Sequence, residues 1–396
     1  MDILKETEKI YPEIVAIRRH FHMHPELSEC ETETAAFVAA KLEEYGIPYT
    51  AHVAGVNGIV AQIGHGSHAV GIRADMDALP VTEATGLEYC SQNPGVMHAC
   101  GHDMHTAMLL GAGKLLKGIE AEIDAMDGAV KLFFQPAEET IGGAEPMIQA
   151  GFLENPQVER VFSLHVDPNY PVGSIVLKYG PMNAQTQGFT IHAEGVSCHG
   201  AHPEGGVDAI VMASEIVLAL QTISSRYNAP TTPVIVTVGT FNSGTASNIV
   251  SGESILTGTM RALRGEVMER NMKLVETLVD GIGKAYGGHA WVEWADDFYP
   301  ALINDDKVTA TVEQVAAELL GKDKINFMPE PSLGADDFAF FTRAVPGTYF
   351  NVGTAVEGQP FYSLHNEHYA PTEEALKVGM AMEVASALRL LSEICG

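Results

Sequence analysis

Apolar positions follow two periods along this chain, and the period marks the element. Ile3, Ile10, Ile14 and Ile17 share one helical face between Met1 and His22, and a second helical pattern runs from about Thr32 to Tyr45. Continuous apolar runs from Gly58 to Ile63, Ala69 to Arg73, Val130 to Phe134, Val161 to Leu164 and Thr348 to Val352 read as strands buried on both faces. Met104, Ala107, Met108, Gly111, Ala112 and Leu115 have helical spacing. So do Leu376, Met380, Val384, Leu388 and Leu391, where Pro371 lies ahead, Thr372 is the expected N-cap and Glu373 and Glu374 fill the first turn.

A segment of different character sits between them. Phe189, Ile191 and Ala193 alternate with Thr190, His192 and Glu194, as in a half-exposed strand. A helix follows (Ile210, Ala213, Val217, Leu220), then strands at Val234 to Thr240 and Ile255 to Arg261, a helix (Met268, Met272, Val275, Val279, Ile282) and a strand at Ala290 to Trp294. The order β-α-β-β-α-β is that of a ferredoxin-like unit. The expected fold class is α/β: a mixed-sheet domain with helices on both faces, from residues 1–181 and 299–396, with a ferredoxin-like domain inserted at 182–298. No internal repeat or long linker separates them.

Composition narrows the partners. Fifty-one acidic residues against 23 Lys and Arg leave a net charge of −28, a surface that repels phosphate backbones and anionic lipid, so neither nucleic acid nor a membrane is an expected partner. The first 22 residues have no continuous apolar stretch, unlike a signal peptide or a membrane span. Five scattered cysteines (Cys30, Cys90, Cys100, Cys198, Cys395) suit a reducing cytoplasm better than a disulfide scaffold.

The chemistry gathers at strand ends. Ligands of open α/β sheets bind beyond the carboxyl ends of the strands, and there this chain carries Asp75 and Asp77, Glu138 and Glu139, and His165, with His365 close after a fourth strand. The stretch Met97-His98-Ala99-Cys100-Gly101-His102-Asp103-Met104-His105-Thr106 adds a thiol, three imidazoles and a carboxylate. The helix beginning after Cys100 is expected to lower the thiol's pKa and make it a thiolate ligand; a buried, inert cysteine is the alternative. For Asp75 and Asp77 the alternative is an Asp-rich turn closed by Pro80. His20, His22 and His24 stand just before the helix-breaking Pro25, which favours a supporting role, and His98 and His105 read as structural. Cys100, His102, Glu139, His165 and His365 can together hold two divalent cations if one ligand bridges. Glu138, unbound beside Glu139, is then free to act as general base.

Arg73 to Pro80, Met97 to Thr106, Gln135 to Glu139, Leu164-His165 and Leu364-His365 together make the chain resemble, nearly end to end, the two-metal amidohydrolases grouped with aminoacylase and the zinc carboxypeptidases. The branch is that of hippurate hydrolase, plant auxin-conjugate hydrolases and N-acetyl-cysteine deacetylase. The resemblance implies that Cys100 bridges two metals also held by His102, Glu139, His165 and His365, that Glu138 is the catalytic base, and that Asp77 and Asp103 support them. It implies a homodimer, or a tetramer built from one, whose inserted domains pair as a lid. His199 would reach the partner subunit's site, and Asn248 and Arg261 would hold the substrate carboxylate, a task suited to the planar arginine fork.

Three departures bear on substrate preference and leave the ligand set intact. Ser197-Cys198-His199-Gly200-Ala201-His202 replaces a Gly-Gly-His-Ala-Ala run and makes His202 an alternative to His199. Met104 replaces a small residue, and Gly334-Ala335-Asp336-Asp337-Phe338 stands where Gly-Ser-Glu-Asp-Phe is common. The expected activity is metal-dependent hydrolysis of N-acyl-L-amino acids (N-acetyl, benzoyl or related) with Zn, Mn, Co or Ni. The alternatives are a dipeptidase or carboxypeptidase with the same machinery and, more remotely, a non-catalytic binding protein.

Overall fold

The computed structural model describes residues 1–53, 55–140, 142–296 and 298–396. The chain divides into two compact units, Met1–Gly180 with Ile303–Glu330 and Asp336–Gly396, and Pro181–Leu302 with Pro331–Ala335.

The first unit is built on an eight-stranded sheet, in the order Tyr49–Val53, Gly58–Ile63, Gly128–Gln135, His68–Asp75, Gln157–Pro171, Gly347–Ala355, Ile175–Leu177, Ile325–Phe327. The four central strands, from Gly128–Gln135 to Gly347–Ala355, run parallel. Their register sets Asp75 opposite Gln135 and His165 opposite Asn351, so their carboxyl ends share one edge of the sheet. Both faces of the centre are covered. Leu132 and Phe134 point into the core that also holds the helices Ile3–Met23, His102–Lys117 and Ala375–Cys395. Phe133, on the opposite face, packs its ring 5.1 Å from Phe341 of the short helix Phe338–Ala344.

The core helices touch almost backbone to backbone. A Cβ at Gly379 would lie 1.8 Å from Met108 Sδ, and one at Gly111 would lie 2.3 Å from Met380 Sδ, so each glycine receives a methionine from the facing helix. Met104, with 0% exposure, points into this core. The expectation that Met104 bears on substrate preference finds no support here, because the helix turns that face into the core. The last helix also differs from its expected start. It begins at Ala375, not after a Thr372 cap, and Glu373 lies ahead of it in ion pairs with Arg18 and Arg19.

The second unit has a four-stranded antiparallel sheet in the order Val234–Ser243, Glu253–Ala262, Gln185–Glu194, His289–Trp294. Helices Ala209–Thr222 and Gly265–Ala285 supply its core with Met212, Ile216, Leu220, Met268, Val275 and Val279. In sequence the strands lie 2-3-1-4 across the sheet, the split β-α-β arrangement of the ferredoxin-like fold.

Candidate metal centre

Each candidate ligand is held by a local device at the carboxyl edge of the parallel strands. Cys100 precedes Gly101, whose φ of +95° starts the His102–Lys117 helix. A Cβ there would come within 2.4 Å of Val166 Cγ2, so only glycine lets the turn lie against the neighbouring strand. His102 donates from Nδ1 to the Asp77 backbone oxygen over 2.9 Å, with the Asp77 carboxylate at 3.3 Å, which leaves Nε2 available to a cation. His165 likewise donates from Nδ1 to Val166 O over 2.7 Å and turns Nε2 toward Cys100 Sγ at 3.4 Å. His365 sits at φ +65° and its backbone N–H donates to Ala99 O over 2.8 Å, tying its loop to the Cys100 turn. Its Nε2 lies 3.3 Å from Glu139 Oε1.

These side chains converge as two overlapping triads. Donor atoms of Cys100, His102 and His165 lie within 4.8 Å of one another, as do those of Cys100, Glu139 and His365. Cys100 is common to both. A third group within the same limit joins His102 and Glu139 to Glu138, because Ala137 at φ +57° turns the chain so that successive glutamates reach one place.

The thiol departs from expectation. Burial pushes the Cys100 pKa well above its ordinary value and outweighs the opposing influence of His102. Desolvation, not the helix end, dominates at a fully buried sulfur, so without a cation beside it Cys100 is a neutral thiol. Burial likewise raises Glu138, helped by Asp336, Glu139 and Asp337. For Asp77 burial acts upward too, but hydrogen bonds from His102, the Glu139 N–H at 3.0 Å and the Ser28 hydroxyl at 2.7 Å prevail and hold it ionised.

Supporting groups lie beneath the triads. Asp103 pairs with Arg18 Nε and His22 Nδ1, both at 2.8 Å, which lowers its pKa against the effect of burial and anchors the first helix to the His102–Lys117 helix. His98 is buried with neither ring nitrogen bonded among the described residues, and burial lowers its pKa to about 4. Sequence reasoning missed a network around Arg73. Its guanidinium is fully buried and meets Asp75 at 2.6 Å, Asp337 at 2.8 Å, Asp336 at 3.3 Å and Gln135 at 2.8 Å. Donor atoms of Glu138, Asp336 and Asp337 also lie within 4.8 Å of one another. The signal was an arginine inside an apolar strand, which requires buried carboxylates nearby.

The second unit holds the other candidates. Strand Cys198–His199 pairs with Ile249–Val250, and the Gly200 N–H donates to Asn248 O over 2.8 Å, so His199 and Asn248 are neighbours. The Ala201 N–H donates to His199 Nδ1 over 3.0 Å, which makes Nε2 the protonated nitrogen. His202 Nδ1 instead lies 3.4 Å from Glu204 in solvent. Arg261 is not with them. It sits eight residues beyond Glu253 on the Glu253–Ala262 strand, about 26 Å along it.

The comparisons with known proteins agree with this geometry. The family described as Peptidase family M20/M25/M40 matches residues 71–389. N-acetyl-L-cysteine deacetylase of Bacillus subtilis is 38% identical over 382 residues, covering 96% of this chain and 88% of that protein. An IAA-amino acid hydrolase of Arabidopsis thaliana is 36% identical, covering 99% of this chain and 88% of that one. Among solved structures, a dinuclear metal-binding M20 peptidase of Bacillus subtilis superposes with a TM-score of 0.84 at 30% identity, over 97% of this chain and 99% of its own.

Proposed function

This chain is a metal-dependent amide hydrolase of peptidase family M20/M25/M40, and we propose that its substrates are N-acyl amino acids and that it works with two divalent ions. The observation that carries this reading is the pair of triads sharing Cys100, with Glu138 within reach of both His102 and Glu139. The donors suit such ions. His102 Nε2 and Glu139 Oε1 are buried without a hydrogen bond of proper geometry, as expected of atoms reserved for a cation. Cys100 would bridge, with His102 and His165 on one ion and Glu139 and His365 on the other.

When bound, the ions supply Lewis-acid polarisation of the acyl carbonyl and acidify the attacking water. Glu138 takes one proton from that water as its oxygen bonds to the acyl carbon. It then delivers the proton to the nitrogen as the C–N bond breaks, leaving a carboxylic acid and an amino acid. Asp77 holds His102 and the Glu139 backbone in place during both steps. His199 of a second subunit would donate from Nε2 to the oxyanion, and Asn248 and Arg261 would grip the substrate carboxylate. Because Arg261 is remote from the His199–Asn248 pair within one chain, a shared role requires groups from two subunits.

An apolar surface on the second unit supports that homodimer. Ile210 (41% exposed), Val211 (48%) and Leu218 (64%) project from the Ala209–Thr222 helix, and Ile235 and Phe241 are exposed on the edge strand Val234–Ser243. A second copy placed on this surface would cover both the apolar side chains and the open strand edge. Five free cysteines support a reducing compartment such as the cytoplasm. The test is turnover by the metal-loaded chain of N-acetyl amino acids against dipeptides bearing a free amine. Faster hydrolysis of the acetylated compounds is expected; the reverse order would make the protein a dipeptidase.

A further inference from the structure

Glu31 is fully buried in the first unit, at the residue that precedes the helix Thr32–Glu44. An acidic side chain at that position ordinarily caps its own helix, yet Glu31 makes no capping bond. Glu26 does so in its place. Its Oε2 accepts the Thr34 N–H over 2.8 Å and its Oε1 the Glu33 N–H over 3.2 Å. Glu31 turns away from the helix, and its Oε1 accepts the Ala137 N–H over 2.7 Å.

Ala137 is the residue whose φ of +57° brings Glu138 and Glu139 to one place. A residue with a Cβ enters that region at a cost and stays there only where its surroundings hold it. Both peptide groups of Ala137 are held. Glu31 takes the N–H, and the Gly142 N–H donates to Ala137 O over 2.9 Å. Without Glu31 the Ala137 N–H would be buried and unpaired, and the residue would gain by relaxing to negative φ. In an extended chain the successive glutamates then point to opposite sides. The segment carrying Glu31 also reaches Asp77. The Ala78 N–H donates to Glu26 O over 2.8 Å and the Ser28 hydroxyl to the Asp77 carboxylate over 2.7 Å, so residues 26–31 tie the Asp77 and Ala137 segments together. Burial raises the Glu31 pKa to about 7; charged or neutral, its Oε1 remains an acceptor.

We propose that Glu31 is a positioning residue for the hydrolysis: its carboxyl holds the Ala137 turn, and the turn holds Glu138 where it can move the proton. Glu31 acts through Ala137 and not on the reacting atoms. The assignment rests on the base role proposed above for Glu138.

The experiment measures kcat, KM for an N-acetyl amino acid and bound metal for the full chain in saturating metal. It compares the wild type, Glu31→Gln, Glu31→Leu and the double variant Glu31→Leu/Ala137→Gly, each shown by circular dichroism to be folded at the assay temperature. Gln keeps an oxygen for the Ala137 N–H, Leu fills the space without one, and Gly enters positive φ freely. Glu31→Leu should lower kcat about 10- to 100-fold, the scale of misplacing a reacting group by about 1 Å, with KM within about threefold and two metals still bound. Glu31→Gln should keep kcat within about threefold of the wild type, since its amide oxygen replaces the acceptor. The double variant should recover at least about fivefold of the loss, because the left-handed turn no longer carries a cost. A kcat for Glu31→Leu within about threefold of the wild type, a Glu31→Gln chain as slow as Glu31→Leu, loss of the metals, or no recovery in the double variant overturns the role, while wild-type turnover leaves amide hydrolysis standing. Should Glu31→Leu not fold, Glu31→Ala takes its place in the same comparison. No turnover by the wild type with both metals bound overturns the role and the reading beneath it.

Discussion

His105 Nδ1 donates to Asp75 Oδ1 over 2.6 Å, while its Nε2 accepts the Val166 N–H over 3.0 Å. Because the second bond requires an unprotonated Nε2, the tautomer is set, and the ring links two parallel strands beneath the metal-ligand candidates. His165 donates to the Val166 carbonyl over 2.7 Å, so the two histidines hold the same residue from either end. Replacing His105 with Ala should weaken metal binding by about 10- to 100-fold, the usual scale for partners that orient ligands. Metal titration read by calorimetry checks it; unchanged affinity in a folded variant would contradict the role.

Arg73 neutralises Asp75, Asp336 and Asp337 in a place without solvent. Arg73→Met removes the cation and leaves its carboxylates buried, at a cost of about 3–5 kcal/mol. Thermal unfolding of the metal-free variant should show a large drop in Tm. A drop no bigger than that of an exposed substitution would mean that the network adds little.

The convergence of the candidate ligands was legible because parallel strands end together, so polar residues after separate apolar runs in the sequence meet in space. Glu139, His165 and His365 could be gathered from that rule before any coordinates, and the dense stretch from Met97 to Thr106 added Cys100 and His102. Most of the long helices and the fully buried strands were legible too, since their periodicity runs for several turns or the whole strand, but the helix Asp306–Leu319 was not read. Short pieces carry too few positions to show a period, which hid Tyr49–Val53, Ile175–Leu177 and Ile325–Phe327. The Arg73 network joins residues 264 positions apart, and no local pattern reports such a pairing. Cys100 shows a different limit. The sequence locates the helix end beside it but not the depth of burial that overrides the helix.

Glu383 is 1% exposed on the Ala375–Cys395 helix, and neither carboxyl oxygen has a hydrogen-bond partner among the described residues. Burial raises its pKa well above the ordinary 4.5. It is thus neutral in the fold but ionises in the unfolded chain above pH 4.5, so the native state binds more protons and stability falls as pH rises from there toward the folded pKa. Glu383→Met removes both the unpaired polar group and this slope. It should stabilise by about 1–3 kcal/mol, with a gain in Tm larger at pH 8 than at pH 4.5. An equal gain at both pH values would show that ionisation is not the cause.

In the proposed reaction Glu138 moves the proton while its neighbour Glu139 and the other four candidates hold the metals. Glu138→Gln keeps the shape and removes the base. Metal content by elemental analysis, measured with turnover of an N-acyl amino acid on the same sample, separates the two roles. Two metals per chain with turnover lost is the predicted result; wild-type turnover, or loss of the metals themselves, would contradict the account.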